Sequence, residues 1–145
     1  MRILLQRVSQ ARVSVDDRVI AEIGPGLMLL VGVGPTDGED QARYLANKVA
    51  NLRIFEDQDG KMNRSLREVG GSAIVVSQFT LYADTRKGRR PSFTDSAPPS
   101  IAEPLVERFA VLLEELGVPT QRGEFGAHML VEIANDGPVT IFLER

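Results

Sequence analysis

The stretch Leu27-Met28-Leu29-Leu30-Val31-Gly32-Val33 decides the fold, because it is apolar at every position apart from its glycine. A strand with this pattern has two buried faces, which predicts an interior strand of a sheet. It is also the longest apolar run of the chain, and it is far shorter than the roughly 18 to 20 residues of a membrane span. We therefore expect a globular protein with no membrane partner.

Strands and turns precede this central strand. Residues 2–8 and 11–15 alternate apolar and polar side chains, as half-buried strands do. Asp16-Asp17 separates them from the strand-like Arg18–Ile23, which predicts a hairpin. Gly24-Pro25-Gly26 then predicts a turn into the central strand.

More strands are predicted after it. Leu52–Phe55 and Ala73–Leu81 have strand-like composition, with glycine turns at Gly60 and Gly70-Gly71 between them. In the last third, alternate apolar residues share one face over 125–133 and again over 139–143. The short connections favour mostly antiparallel pairing closed toward a barrel.

Two main helices complete the pattern. Thr36 and Glu39 form a capping box before an amphipathic helix over residues 39–51. A second helix is indicated by apolar residues at helical spacing, namely Leu105, Phe109, Leu112 and Leu116. Gly117 and Pro119 end it, while Ser100 and Glu103 form a capping box at a start blurred by Pro104. The predicted fold class is α+β, a single domain over residues 1–145 with a mostly antiparallel, barrel-like β-sheet.

The amino-acid composition limits the kinds of catalysis and binding that the chain can support. The 145 residues are 43% hydrophobic and 26% charged, which is typical of one globular domain. Cysteine is absent, which excludes thiol catalysis, cysteine-ligated zinc and disulfides, and fits a cytoplasmic location. The net charge of −3 hides a basic cluster at Arg86, Lys87, Arg89 and Arg90, which suits a short phosphate contact.

Common catalytic and cofactor motifs are missing. His128 is the only histidine, and no G-x-S-x-G elbow is present, so a Ser-His-Asp hydrolase is not indicated. Asp57-Gln58-Asp59-Gly60 resembles part of a calcium loop but has the spacing of a hairpin turn. Gly32–Gly38 misses the dinucleotide fingerprint. We expect neither a metal site nor a cofactor.

Two stretches are not explained by packing patterns. In Ser77-Gln78-Phe79-Thr80-Leu81, polar side chains interrupt a strand that begins as an apolar run, so they must be paired or must face a cleft. Asn135-Asp136-Gly137-Pro138-Val139-Thr140 contains one of three Gly-Pro pairs, the others being Gly24-Pro25 and Gly34-Pro35.

Together these two stretches resemble the paired motifs of the D-aminoacyl-tRNA deacylases, also called D-tyrosyl-tRNA deacylases. The resemblance extends to Met1–Val8, Gly26–Val33 and Leu81–Phe93, and so covers essentially the whole chain. It implies a homodimeric, cofactor-free enzyme that proofreads mischarged tRNA. The reaction is hydrolysis of the ester between a D-amino acid and the terminal adenosine of tRNA.

The resemblance also implies roles for residues. The catalytic set is Ser77, Gln78, Phe79 and Thr80, and the substrate-binding set is Gly137, Pro138, Met129 and Phe125. In this family the second-motif Gly-Pro is cis and enters the partner's pocket, where its carbonyl groups exclude L-amino acids. Glycine should then also be accepted. The basic cluster would bind tRNA phosphates, and Arg7 on the first strand would pair with a carboxylate near the subunit contact.

Alternatives remain at the level of sequence. The ribose 2′-OH could assist water, with backbone N–H groups around Gln78 to Thr80 stabilising the oxyanion, or Thr80 could act as a covalent nucleophile. At the level of function, the alternatives to a tRNA-ester hydrolase are a non-catalytic module that binds RNA ends and a barrel that binds a small molecule.

Overall fold

The computed structural model of the protein covers residues 1–145. The strands are β1 (Arg2–Val15), β2 (Arg18–Ile23), β3 (Gly26–Gly32), β4 (Phe55–Glu56), β5 (Met62–Arg64), β6 (Ser72–Ser77), β7 (Thr120–Arg122) and β8 (Leu130–Glu144). The helices are α1 (Glu39–Asn51), α2 (Leu66–Val69) and α3 (Pro99–Glu115), with a 3₁₀ turn at Phe79–Tyr82. No helix is both long enough and apolar enough to cross a bilayer.

The first strand organises the main sheet. Residues 2–8 of β1 pair with β3 and residues 11–15 pair with β2, all antiparallel. The strand β8 runs antiparallel to β1 over residues 2–14 along its other edge. The predicted hairpin around Asp16-Asp17 is confirmed, but the two predicted segments before it form one continuous strand of 14 residues.

The sheet continues in the parallel sense. β3 pairs with β6 and β6 pairs with β7, both parallel. The side chain of Gln121 on β7 accepts from the Glu22 N–H at 2.8 Å and donates to the Glu22 carbonyl at 2.7 Å. These bonds link β7 to β2, so the mixed sheet nearly closes. The predicted fold class is confirmed, and α1 and α3 are its two main helices.

The central strand has two buried faces, as its sequence predicts. Leu27 and Leu29 belong to the larger core, which also contains α1 and α3, and both have no exposed surface. Met28 points the other way, into a second core enclosed by the curved sheet, and is also fully buried. Phe109 of α3 is the largest fully buried side chain. β3 therefore forms the wall between the two cores.

Both predicted helices exist, but both predicted caps are wrong. α1 spans Glu39–Asn51 with Gly38 as its N-cap, whose N–H donates to the Gln41 side chain at 3.0 Å. Glu39 is the first helical residue, so it cannot occupy the third helical position that a capping box with Thr36 requires. α3 starts at Pro99, where a missing N–H costs nothing, and contains Pro104 in its second turn. The box of Ser100 and Glu103 therefore lies inside this helix.

Several strand predictions need correction. The segment Leu52–Phe55 is mostly irregular, and only Phe55 enters a strand, in the β4–β5 hairpin around the Asp57 turn. The strand from residue 73 ends at Ser77 because the chain turns into the 3₁₀ turn. Residues 125–127 form a turn, so the last strand starts at Leu130.

Helix α2 is absent from the sequence prediction, although its capping box is visible in the sequence. The Glu68 carboxylate accepts from the Ser65 N–H and hydroxyl, both at 2.7 Å.

Candidate active site

A cavity of about 600 Å³ opens where the parallel strands β3 and β6 end. Carboxyl ends of parallel strands are frequent ligand sites, because the chain leaves the sheet there and exposes backbone groups. The walls come from the ends of these strands, the start of α3, and the segments around residues 93–97 and 125–129. The lining is mostly apolar, with a few polar side chains at one end.

The end of β6 and the start of the 3₁₀ turn supply part of that polar end. Ser77, Gln78 and Phe79 line the cavity. The Gln78 N–H donates to the Val31 carbonyl at 2.7 Å, which fixes the start of the turn against β3. The turn also packs on Gly32, where an added Cβ would lie 3.0 Å from the Gln78 carbonyl oxygen. A glycine is thus required for this close approach.

Thr80 is placed differently from its neighbours. It is exposed and is not among the residues that line the cavity. Its hydroxyl accepts a hydrogen bond from the Gln78 side-chain amide. In this arrangement Thr80 orients Gln78.

The far end of the turn is anchored by Tyr82. Its hydroxyl donates to Asp37 at 3.2 Å, and Arg2 lies over its ring at 4.3 Å from the centroid. Burial raises the pKa of Tyr82, and the negative charge of the nearby Asp37 carboxylate raises it further. The phenol therefore remains a donor at neutral pH. Arg2 also donates to the Leu81 carbonyl at 2.9 Å. These contacts hold the backbone of the turn in place.

The opposite wall contains Phe125, His128 and Met129. The turn that replaces the predicted strand includes Gly126, whose φ of +76° favours glycine. Because of this turn, Phe125 and Met129 face the same cavity as the 3₁₀ turn. His128 is exposed at this wall and makes no hydrogen bond to the polar side chains across the cavity.

Gly137 and Pro138 lie elsewhere. Their peptide bond is cis, both residues are exposed, and neither lines the cavity of the same chain. They sit in β8 where its pairing with β1 is irregular, between the partners of Gln6 and Val8. The structure therefore brings Ser77–Phe79 of the first motif to the cavity, whereas Gly137 and Pro138 of the second motif lie on the outer surface.

Arg7 holds the second motif against the sheet. Its side chain is 93% buried and makes an ion pair with Asp136 at 3.2 Å. The same guanidinium donates to the Ile54 carbonyl at 2.6 Å and to the Asp136 carbonyl at 3.3 Å. Asn135 donates in return to the Arg7 carbonyl at 2.9 Å. The expected carboxylate partner of Arg7 is thus Asp136.

Replacing Arg7 by alanine is expected to lower the free energy of unfolding by about 2 to 4 kcal/mol, because it leaves the buried Ile54 carbonyl without its donor and opens a cavity. Urea denaturation measures this loss. Arg12→Ala is the matched control on the same strand: its ion pair with Glu22 is exposed, so its loss should lower the free energy of unfolding far less. Equal losses in the two variants would contradict a special role of Arg7.

The basic cluster lies on a loop beside the cavity. Asp84 and Ser92 pair through two backbone hydrogen bonds of 2.8 and 2.9 Å, which close the loop at its base. Arg86 binds Asp84 through two side-chain hydrogen bonds of 2.9 and 2.8 Å, which lower the pKa of Asp84 to about 2. The charge of Arg86 is thus engaged in an ion pair that stabilises the conformation of the loop. The other three cations, Lys87, Arg89 and Arg90, are exposed and make no ion pair within the chain.

Comparison with known proteins adds family evidence to this geometry. The chain matches the family model described as D-Tyr-tRNA(Tyr) deacylase over residues 4–144. A D-aminoacyl-tRNA deacylase from Thermomicrobium roseum is 64% identical over 99% of this chain and 94% of its own length. The chain belongs to the D-aminoacyl-tRNA deacylase family. A further D-aminoacyl-tRNA deacylase, from Limosilactobacillus reuteri, is 52% identical over the full length of both chains.

Solved structures agree with the fold of this deacylase family. The structure titled "c-Myc DNA Unwinding Element Binding Protein" has a TM-score of 0.95 at 38% identity and covers 100% of this chain and 99% of its own. The structure of "a probable eukaryotic D-amino acid tRNA deacylase" has a TM-score of 0.84 at 18% identity, with 98% and 97% covered, which shows the fold alone. Membership of the deacylase family makes the protein a hydrolase and confirms the resemblance stated from its motifs.

Some features of the deacylase cavity are missing from the sequence prediction. Phe93 lines the cavity and contacts Phe79, and the Asp37–Tyr82 hydrogen bond anchors the turn. Gly32 does indicate in the sequence that the turn packs against β3, because a glycine inside an apolar strand often marks a close approach of another backbone segment. No comparable sequence pattern singles out Phe93 or Asp37.

Proposed function

We propose that this deacylase hydrolyses the ester that links a D-amino acid, or glycine, to the terminal adenosine of tRNA. The observation that carries this proposal is the end of β6 and the start of the 3₁₀ turn, where Ser77, Gln78 and Phe79 face an apolar cavity beside a loop with unpaired cations. The aminoacylated end of tRNA has an aromatic base, a polar ester and a phosphate on the 5′ side of the terminal nucleoside, and this order matches cavity, turn and loop. Residues 1–145 would act as one domain in the cytoplasm, where tRNA is charged.

The backbone of the turn would stabilise the transition state. The N–H group of Gln78 is already used by Val31, whereas those of Phe79 and Thr80 start a 3₁₀ turn and have no acceptor within it. Water attacks the ester carbonyl, and negative charge develops on its oxygen. Donors that are already in place favour this charged state over the neutral ester. Gln78, held by Thr80, would position the ester.

The 2′-OH of the ribose would carry out the proton transfer that no side chain of the site is placed to perform. The only histidine, His128, makes no hydrogen bond to the turn, and Thr80 has no basic partner to activate it. A vicinal hydroxyl lies next to the leaving 3′-oxygen in every substrate molecule. It can pass the proton of the attacking water to that oxygen, which releases the free amino acid and the tRNA.

Chirality would be set by exclusion at a subunit contact. Gly137 and Pro138 are exposed and lie away from the cavity of their own chain, so they are free to enter the cavity of a partner in a homodimer. Carbonyl oxygens on one side of the substrate Cα would clash with any L side chain. The same site would accept all D side chains and glycine, because none of them points toward that side.

The proposal predicts that the deacylase releases D-tyrosine from charged tRNA much faster than L-tyrosine. The difference should exceed about 100-fold, since a steric clash at a rigid backbone rejects a substrate more strongly than a missing contact does. Radiolabelled D- and L-tyrosyl-tRNA, prepared on the same tRNA, measure both rates. Equal rates, or a charged D-tyrosyl-tRNA that survives excess protein, would contradict the proposal and favour a binding module.

A further inference from the structure

Two aromatic rings stand together at the edge of the cavity. Phe93 and Phe79 pack edge to face, with ring centroids 5.0 Å apart and an angle of 71° between their planes. Both line the cavity, yet Phe93 is 36% exposed and Phe79 is 56% exposed. Large aromatic side chains that remain this exposed at a pocket mouth commonly contact a ligand.

The position of Phe93 in the chain connects the cavity to the basic loop. It directly follows Ser92, whose backbone pairs with Asp84 and closes the loop. The unpaired cations Lys87, Arg89 and Arg90 lie on that loop. An RNA strand that leaves the cavity in this direction meets an aromatic ring first and cations next. Aromatic rings beside a basic track are the usual means of binding single-stranded nucleic acid.

We propose that Phe93 is a stacking platform for the nucleobase that immediately precedes the terminal adenosine. This inference rests on the proposed function, which places the terminal adenosine and its ester in the cavity. The preceding nucleotide must then lie outside the cavity mouth. The exposed part of the Phe93 ring offers that base an apolar surface, and the loop cations offer its phosphate a positive field.

Stacking on a ring depends weakly on which base is bound, because every base has an aromatic face. The platform would therefore act on any tRNA with the same single-stranded end. It would contribute to binding of the nucleic acid and would leave the chemistry of the ester unchanged. This separates Phe93 from Phe79, which belongs to the proposed catalytic turn.

The experiment compares two substrates that differ only beyond the terminal nucleoside. One is D-tyrosyl-tRNA, and the other is the isolated nucleoside ester 3′-D-tyrosyl-adenosine. In Phe93→Ala, KM for the tRNA should rise about ten-fold, as expected for the loss of one base stack, with kcat little changed. The kcat/KM value for the nucleoside ester should fall much less than that for the tRNA, because this substrate has no preceding base to stack.

Three further variants distinguish the loss of base stacking from poor folding and from a general effect of removing an exposed aromatic ring. Phe93→Tyr keeps the aromatic ring and should restore tRNA binding. Phe93→Leu keeps an apolar side chain and should behave like Phe93→Ala even if the alanine variant folds poorly. Tyr44→Ala removes another exposed aromatic ring, 49% exposed on α1 and outside the cavity lining, and should leave both substrates unaffected.

Each outcome has a defined meaning. An equal loss on tRNA and on the nucleoside ester would show that Phe93 supports the cavity or touches the amino acid, and would overturn the inference. Unchanged kinetics on both substrates would overturn it too. If the wild-type protein hydrolyses neither substrate, the proposed function itself fails, and that result is recognisable before any variant is made.

Discussion

Replacing Gly137 by alanine is expected to lower the preference for D- over L-tyrosyl-tRNA by about 100-fold, since a shift of about 1 Å at a reacting site has effects of this size. Gly137 has a φ of +118°, which L-residues rarely adopt. An added Cβ would also lie 2.9 Å from the Val139 side chain and 3.1 Å from the Arg7 guanidinium. The segment must therefore move, together with the carbonyl groups proposed to exclude L-amino acids.

The chain offers a matched control for this substitution. Gly24 also precedes a proline, but a Cβ added there would meet no atom within 4 Å. Gly24→Ala should keep the full preference for D-tyrosyl-tRNA. The measurement is the ratio of D- to L-tyrosine release, with urea denaturation to confirm that each variant is folded.

A second variant makes the test independent of the folding of Gly137→Ala. Asn135→Ala removes the side-chain hydrogen bonds to the Arg7 and Val139 carbonyl groups, at 2.9 and 3.1 Å, without adding any atom. It should weaken the preference in the same direction. A folded Gly137→Ala protein with wild-type preference would refute the proposed role of this segment.

Removal of the ribose 2′-OH is expected to lower the rate of D-tyrosine release by at least about 100-fold, within the range that a positioned proton-transfer group supplies. The substrate is D-tyrosyl-tRNA that ends in 2′-deoxyadenosine, with the ester on the 3′-oxygen. The reason is that no side chain at the turn is placed to move the proton. Single-turnover release of labelled D-tyrosine measures the chemical step directly.

Controls on the substrate and on the protein complete this test. A tRNA with the 2′-deoxy sugar one nucleotide earlier should react at the normal rate. Thr80→Ala should lose less than about ten-fold, because Thr80 lies outside the cavity lining and only orients Gln78. If the deoxyadenosine substrate reacts normally while Thr80→Ala is inactive, the covalent mechanism replaces the substrate-assisted one.

Strong periodicity predicted the regular parts of this fold. The run Leu27–Val33 has two buried faces, and the helix over residues 39–51 has the predicted bounds. Helix starts were predicted less well, because a helix can begin without a capping side chain. The N-cap of α1 is Gly38, which has no side chain, and α3 begins with Pro99, which has no N–H to cap. A pattern of polar and apolar residues does not record which group fills that role.

The candidate site was predictable only in part, for a physical reason. Ser77–Thr80 stood out because polar side chains interrupt an apolar strand, and the structure adds that the strand ends there. The alternation over residues 125–133 predicts a strand, although residues 125–127 turn to bring Phe125 and Met129 to the cavity. Apolar residues before and after a turn can alternate with polar residues as they do in a strand. The spacing of apolar residues alone therefore does not distinguish this turn from a strand.

The pairing of β1 with β8 determines when this protein can fold. Arg2 pairs with Glu144, so β1 has to wait for β8, which is synthesised much later. Until then one long edge of β1 offers unpaired backbone groups to any neighbouring chain, and contacts this distant in sequence form slowly. The main sheet is therefore completed only once β8 has been synthesised, and the exposed edge of β1 is open to aggregation until then.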